Sequence, residues 1–219
     1  MHDRGRPEPR YPGYDVLTKR QGPSWNEQTR RVVSQRLAVP AEPRFFTPDE
    51  FRTVASVAAR IVPQPDGRPP VPVAALIDEK LFRGASDGYR PEGMPREREA
   101  WRQGLQALDA EAKAAYGAAF HAIGAARQDG LLARMQSGDM TSPAWGRMSP
   151  QDFFKRRMAR DVVLAYYAHP TAWSEIGWGG PASPRGYVRL DFDERDPWEA
   201  AEAGSGDAVE VRRINRHVG

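Results

Sequence analysis

A chain of 219 residues with 40% hydrophobic content and a mean hydropathy of −0.68 has room for one modest core with exposed extensions. The lack of cysteine excludes disulfides, thiolate nucleophiles, iron–sulfur ligation and covalent haem attachment, and no apolar run reaches the roughly 18 residues of a transmembrane helix. Lysine and arginine total 32 against 29 acids and are scattered among them, so no nucleic-acid-binding stripe stands out.

Residues 1–44 read as an extended arm in which Pro, Gly, Arg and Gln surround three large anchors, Tyr11, Tyr14 and Trp25. Within it, Ser24-Trp-Asn-Glu27 has capping-box spacing and predicts a short helix over 25–37. The first ten residues lack a signal-peptide apolar region. The stretch after Arg30-Arg31 is too short and polar for a twin-arginine signal, so a cytoplasmic location is expected for the chain as written.

A helical domain is expected over 45–170. Thr47 is an N-cap, Pro48 opens the helix, and Asp49 and Glu50 face the positive end of its dipole. Phe51, Val54, Val57, Ala58 and Ile61 then recur at helical spacing until Pro63. A second helix is predicted over 72–84, with Val73, Leu76, Ile77 and Leu81 inward and Gly84 as its stop. A third covers 96–108 around Trp101, Leu105 and Leu108, and Asp109 is expected to cap a fourth over 110–124. Another runs from Gln128 to Ser137, and Ser149-Pro150 starts the last, over 150–168. The resulting fold class is all-α: an irregular bundle of five or six helices with extended N- and C-terminal arms.

From Tyr166 to Tyr187 glycine and proline are too frequent for a helix or a central strand, yet the stretch is rich in aromatics. Residues 171–202 are therefore expected to form an aromatic docking segment, and 203–219 a disordered tail apart from Val209-Glu-Val-Arg. The aromatics either fold back on the chain's own bundle or dock a partner. Arg185 and Arg189, interleaved with Tyr187, match the aromatic-plus-arginine composition of interface hot spots. The candidate interface residues are Tyr166, Tyr167, His169, Trp173, Trp178, Arg185, Tyr187 and Arg189.

His169, flanked by Tyr166, Tyr167 and Glu175, has the make-up of a general acid or base. Pro170 biases it away from helical geometry, which instead suits a helix-end residue. His2, His121, His169 and His217 have no ligand-type neighbour at helical spacing, and the acidic run Asp191–Asp196 lacks the glycine and terminal glutamate of a calcium loop. Gly177-Trp-Gly-Gly180 follows no strand and opens no helix, so it is not a dinucleotide cradle. No catalytic, cofactor-binding or metal-ligating residue is expected in this chain.

Several short motifs follow one another in a distinctive order: Phe46-x-Pro-x-Glu50 leading to Ile61-Val-Pro63, then Ile77-Asp78, then Gly104-Leu105 with Leu108-Asp109. Gln128-Asp129-x-Leu131-Leu132 follows. The Phe153-Phe154 helix running into Tyr166-Tyr167-x-His169-Pro170 and Gly177-Trp178-x-Gly-Pro181 completes the series. In this order, over roughly residues 45–190, the chain resembles the gluconate 2-dehydrogenase subunit 3 family. The resemblance implies a small helical accessory subunit of a large FAD-dependent flavoprotein of the glucose-methanol-choline type, often completed by a membrane-linked cytochrome c subunit. The partner would hold the FAD and perform the chemistry. The small subunit would assist its folding, stability or export, commonly by carrying a twin-arginine signal. This sequence departs from that pattern in lacking the signal: either its start is truncated or mis-set, or the signal lies on a partner with which it is co-exported to the periplasm, or the complex stays in the cytoplasm. Two other readings are a stand-alone helical enzyme using His169 and a helical adaptor unrelated to redox chemistry.

Overall fold

Thr47 accepts a hydrogen bond from the amide of Glu50, whose carboxylate accepts one from the Thr47 amide at 2.8 Å, closing a capping box at the start of a helix over Pro48–Ile61. Such local signals recur along a computed structural model that describes residues 9–85, 88, 90, 92–182, 186, 194–204 and 207–218. The α-helices in chain order are α1 (Glu27–Leu37), α2 (Pro48–Ile61), α3 (Val73–Phe82), α4 (Glu97–Tyr116) and α5 (Ala125–Ser137). They continue with α6 (Pro150–Phe153), α7 (Ala159–Ala168), α8 (Pro170–Glu175) and α9 (Ala208–Asn215). No strand occurs among the described residues, so the all-α class holds.

Two departures from the expected helices have local causes. The cap of α1 is Asn26, whose side chain accepts from the Thr29 amide at 2.9 Å, so the helix starts two residues later than the Ser24 signal placed it. Asp109 does not divide α4, which runs unbroken with Leu105, Leu108 and Ala112 buried along one stripe. Its carboxylate accepts from the Phe120 amide at 2.9 Å, tying down the 3-10 turn Phe120–Ala122 that replaces the expected fourth helix.

Residues 39–66 and 72–166 form one unit, the helical body, in which α2 packs against α3, α4 and α5, and α4 against α5 and α6. Its core holds a run of edge-packed rings: Phe45 on Phe46, Phe46 on Trp101, and Trp101 on Phe153 at 5.8 Å between centroids. Trp145 closes the other side of Phe153 at 6.0 Å. Gly104 is what allows this ring in: a Cβ there would lie 2.2 Å from the nearest Phe153 atom. The turn before α2 is fixed by the buried Asp78 of α3, whose carboxylate accepts from the amides of Arg44, Phe45 and Phe46 at 2.7, 3.0 and 2.8 Å.

Between α6 and α7 the helix widens into a π-turn over Phe154–Met158, where Arg157 is buried. Here α3, α4, the π-turn and α7 bring four charges together. The Glu97 carboxylate accepts from Lys80 at 2.6 Å and Arg157 at 2.7 Å, while Asp161 lies 3.4 Å from Lys80 and accepts from the Trp101 indole N–H at 2.9 Å. Burial pushes the Asp161 carboxyl above its ordinary range, opposed by the Trp101 hydrogen bond and the charges of Lys80 and Arg157.

Residues 9–38, 67–71 and 167–218 form a second compact unit, where extended arms and a tail were expected; the division falls within α7, between Tyr166 and Tyr167. Its regular pieces are α1, the 3-10 turn Val16–Arg20, α8 and α9. Each terminal segment has too few apolar residues for its own core. Together they supply Tyr14, Val16, Trp25, Val33, Trp173 and Val218 to a shared one.

Two substitutions test these supports. Gly104→Ala should lower the stability of the body by about 1–3 kcal/mol through overpacking, because Phe153 is held between two tryptophans and has no easy retreat. An unchanged denaturation midpoint would contradict that close approach. Asp78→Ala should cost about 3 kcal/mol by stranding buried amide donors, read from the same denaturant titration.

Candidate docking surface

The aromatic stretch after α7 is organised by hydrogen bonds that a Gly- and Pro-rich backbone cannot supply to itself. His169 leaves helical geometry, as Pro170 requires, and its Nδ1 accepts from the Thr171 amide at 3.3 Å to cap α8. Trp173 sends its indole N–H back to the Tyr167 carbonyl at 2.9 Å, satisfying an acceptor at the end of α7. Its own carbonyl accepts from the Trp178 amide at 2.9 Å.

Gly177 and Gly180 both have left-handed backbone angles and both lie under neighbouring rings. A Cβ on Gly177 would sit 2.5 Å from the Tyr11 ring, and one on Gly180 would sit 3.0 Å from Trp25. These glycines are close-approach turns within this chain's own packing. The N-terminal segment is bound in through Ser174, whose hydroxyl accepts from the Val16 amide at 3.0 Å. From the C-terminal side, Asn215 donates to the Pro12 and Ala201 carbonyls at 2.9 Å each.

Lys19 is fully buried, and its ammonium donates to the Trp198 carbonyl at 2.8 Å and the Gly179 carbonyl at 3.4 Å. A buried cation of this kind requires such oxygens, and they pin residues 177–180 and 194–202 to the Val16–Arg20 turn. Beside it opens a cleft of about 500 Å³ lined in part by Tyr11, Trp178 and Trp198.

The expected interface residues thus fall into three groups. Tyr166, His169 and Trp173 are buried within the chain, at 2%, 5% and 1% exposure. For these three the self-packing alternative describes the structure, because Trp173 is a central ring of the second core and His169 a helix cap. Tyr167 and Trp178 present 42% and 40% of their surface, with Ile176 beside them at 46%. Trp178 stands edge-on to Trp173, with centroids 4.6 Å apart, so an exposed ring rests on an immobilised one. Arg185, Tyr187 and Arg189 lie outside the described residues. Ile176 was missed by the sequence reading; its position one residue before Gly177, where α8 must stop, is the signal that could have found it.

Among the described residues no group of three or more His, Asp or Glu stands where it could hold a metal ion, and no helix is long and apolar enough to cross a membrane. Burial lowers the pKa of His169 below its usual value. The unfolded chain therefore binds this proton more readily than the folded one, and the contribution of neutral His169 to stability falls as pH drops below about 6.5. His169→Asn retains a capping acceptor but removes the titration. Its stability, measured by denaturation near pH 7.5 and pH 5.5, should fall less with acid than that of the wild type. An identical loss in both would refute the assignment.

Comparison with the curated proteins and with the solved structures returned no match. The family model for gluconate 2-dehydrogenase subunit 3 matches residues 48–180, from the first turn of α2 to the second close-approach glycine of the aromatic stretch. With more than half of its length matched, this chain belongs to the gluconate 2-dehydrogenase subunit 3 family.

Proposed function

We propose that this chain is a non-catalytic subunit that binds and stabilises the FAD-dependent catalytic subunit of a sugar or alcohol dehydrogenase. The family takes its name from a subunit of gluconate 2-dehydrogenase, which supports association with other chains of such a complex. The observation that carries the reading is the presentation of Tyr167, Ile176 and Trp178 on a backbone fixed by Trp173 and Lys19. Exposed apolar side chains on a preorganised support suit association, because little ordering entropy is lost on contact. Arg185, Tyr187 and Arg189 follow in the sequence and are of hot-spot residue types.

The partner in this reading is the large flavoprotein of the glucose-methanol-choline type, which holds the FAD, with a cytochrome c subunit as a further component. Stabilisation would follow by mass action: a subunit that binds only the folded flavoprotein adds about 2.7 kcal/mol to its stability at a concentration 100 times the Kd. Chaperone-like help in maturation is the same linkage acting before the flavoprotein has loaded its flavin.

Co-expression tests this. The large subunit made without this chain should give low yield and low flavin occupancy, read from flavin absorbance per protein, and full activity without it would refute the proposal. Trp178→Ala should weaken co-purification by roughly thirty-fold, the effect of losing a hot spot of about 2 kcal/mol, when compared at a temperature where the variant chain is still folded, since the lost contact with Trp173 also lowers its own melting temperature.

A further inference from the structure

A cleft of about 850 Å³ opens in the helical body at the start of α4, far in sequence from the aromatic stretch. Among the described residues Arg90, Arg96, Arg98, Arg102 and Arg157 line it, against two acids, Glu97 and Glu99. Two of the guanidiniums are committed: Arg102 donates to the Phe45 carbonyl at 2.7 Å and pairs with Glu50, and Arg157 pairs with Glu97. The other three are exposed, and none meets a carboxylate among the described residues. Arg98 and Arg102 lie 5.0 and 4.4 Å from the Phe45 ring centroid, so the cleft wall is an aromatic ring flanked by cations. The first turn of α4 adds amide donors, since Arg96 at its N-cap makes no side-chain capping bond.

Glu97 does not cancel that surplus. One of its carboxylate oxygens takes Lys80 and Arg157, and the other is closed off from solvent. An occupant that completes this cleft brings carboxylates for the three exposed arginines and carbon surface for a wall that includes Phe45, Gly84 and Ala85. Inorganic anions offer acceptors alone. A polypeptide segment carrying Asp or Glu offers carboxylates spaced along a chain with apolar stems between them.

We propose that this cleft docks an acidic peptide segment of the partner dehydrogenase subunit. The partner's identity rests on the functional reading above; the acidic-peptide chemistry does not. Arginine's fixed fork suits paired carboxylates, and the surplus of positive charge would steer the encounter at low ionic strength.

The probe is a fluorescently labelled, Glu- and Asp-rich decapeptide, titrated by anisotropy against the full chain. It should bind at low salt and weaken as ionic strength rises, whereas a Gln/Asn peptide of equal length should bind at least about tenfold more weakly. The combined variant Arg90→Glu, Arg96→Glu and Arg98→Glu should lose about tenfold or more in affinity with an unchanged melting temperature. If it fails to fold, the Arg→Gln version at the same positions should show the same direction of effect. Equal binding by a folded variant overturns the site. So does displacement of the peptide by inorganic pyrophosphate as readily as by unlabelled peptide, which would make it a small-anion site. Co-expressed with the flavoprotein, the charge-reversed variant should lose the co-purification that the wild type retains; retention would overturn the assignment to the partner. A wild-type chain that binds the acidic peptide yet never captures the flavoprotein sinks the functional reading and leaves the peptide chemistry standing.

Discussion

Asp161 sits almost wholly out of water between Lys80, Arg157 and the Trp101 indole, and the helical body depends on keeping it satisfied. Taking a carboxylate into a low-dielectric interior costs several kcal/mol, offset only when charges and donors converge on it from several directions. Here they converge from α3, α4 and the π-turn, so the arrangement of these elements is tied to one atom group. The same cluster has an outer edge: Glu97 shares its two cations with Asp161 and lines the arginine-rich cleft, where its carboxylate is already committed and does not meet Arg90, Arg96 or Arg98. Charge pairing in the core thereby leaves the cleft arginines to the surface.

The second unit solves a different problem. Its segments are short, rich in Gly and Pro, and come from both ends of the chain, so few of their backbone groups can pair within one element. Side chains take over that work. Ser174, Lys19 and Asn215 each bond backbone from a distant stretch, Trp173 bonds the end of α7, and the rings of Tyr14, Trp25 and Trp173 fill the space between them. What remains outside is Trp178 and its neighbours. Their value for association comes from being few, apolar and firmly backed rather than from forming a large patch.

The helices were legible where one element contains its own signal. Thr47-Pro48-Asp49-Glu50 and Ser149-Pro150 mark starts that the structure reproduces, and Phe153, Met158, Val162 and Tyr166 of that last expected helix are core while Leu164 is half exposed. Asp109 misled for a physical reason: a carboxylate can cap a turn eleven residues away as readily as the helix beside it, and sequence does not say which amide it will meet. The aromatic stretch was expected to be too rich in Gly and Pro for a helix, yet residues 166–168 end α7 and Pro170–Glu175 form α8, because Pro170 stands at a first helical position, where its missing N–H costs nothing. Which of its rings face outward depends on which of them packs against the N-terminal segment, and their spacing along the chain carries no such information. The arginine cleft was invisible because Arg90, Arg96, Arg98 and Arg157 are spread among acids over nearly seventy residues.

By itself the sequence determined the all-α class, most helix starts, the capping position of His169 and the family to which the chain belongs. Those properties depend on residues close together in the chain or on their order along it, where propensity, capping and periodicity act directly. Tertiary structure alone decided that the terminal segments share a core, that Trp173 is buried while Trp178 is exposed, and that five arginines line one cleft. These outcomes arise from long-range burial and charge compensation, which depend on which distant groups meet and so leave no periodic trace along the chain.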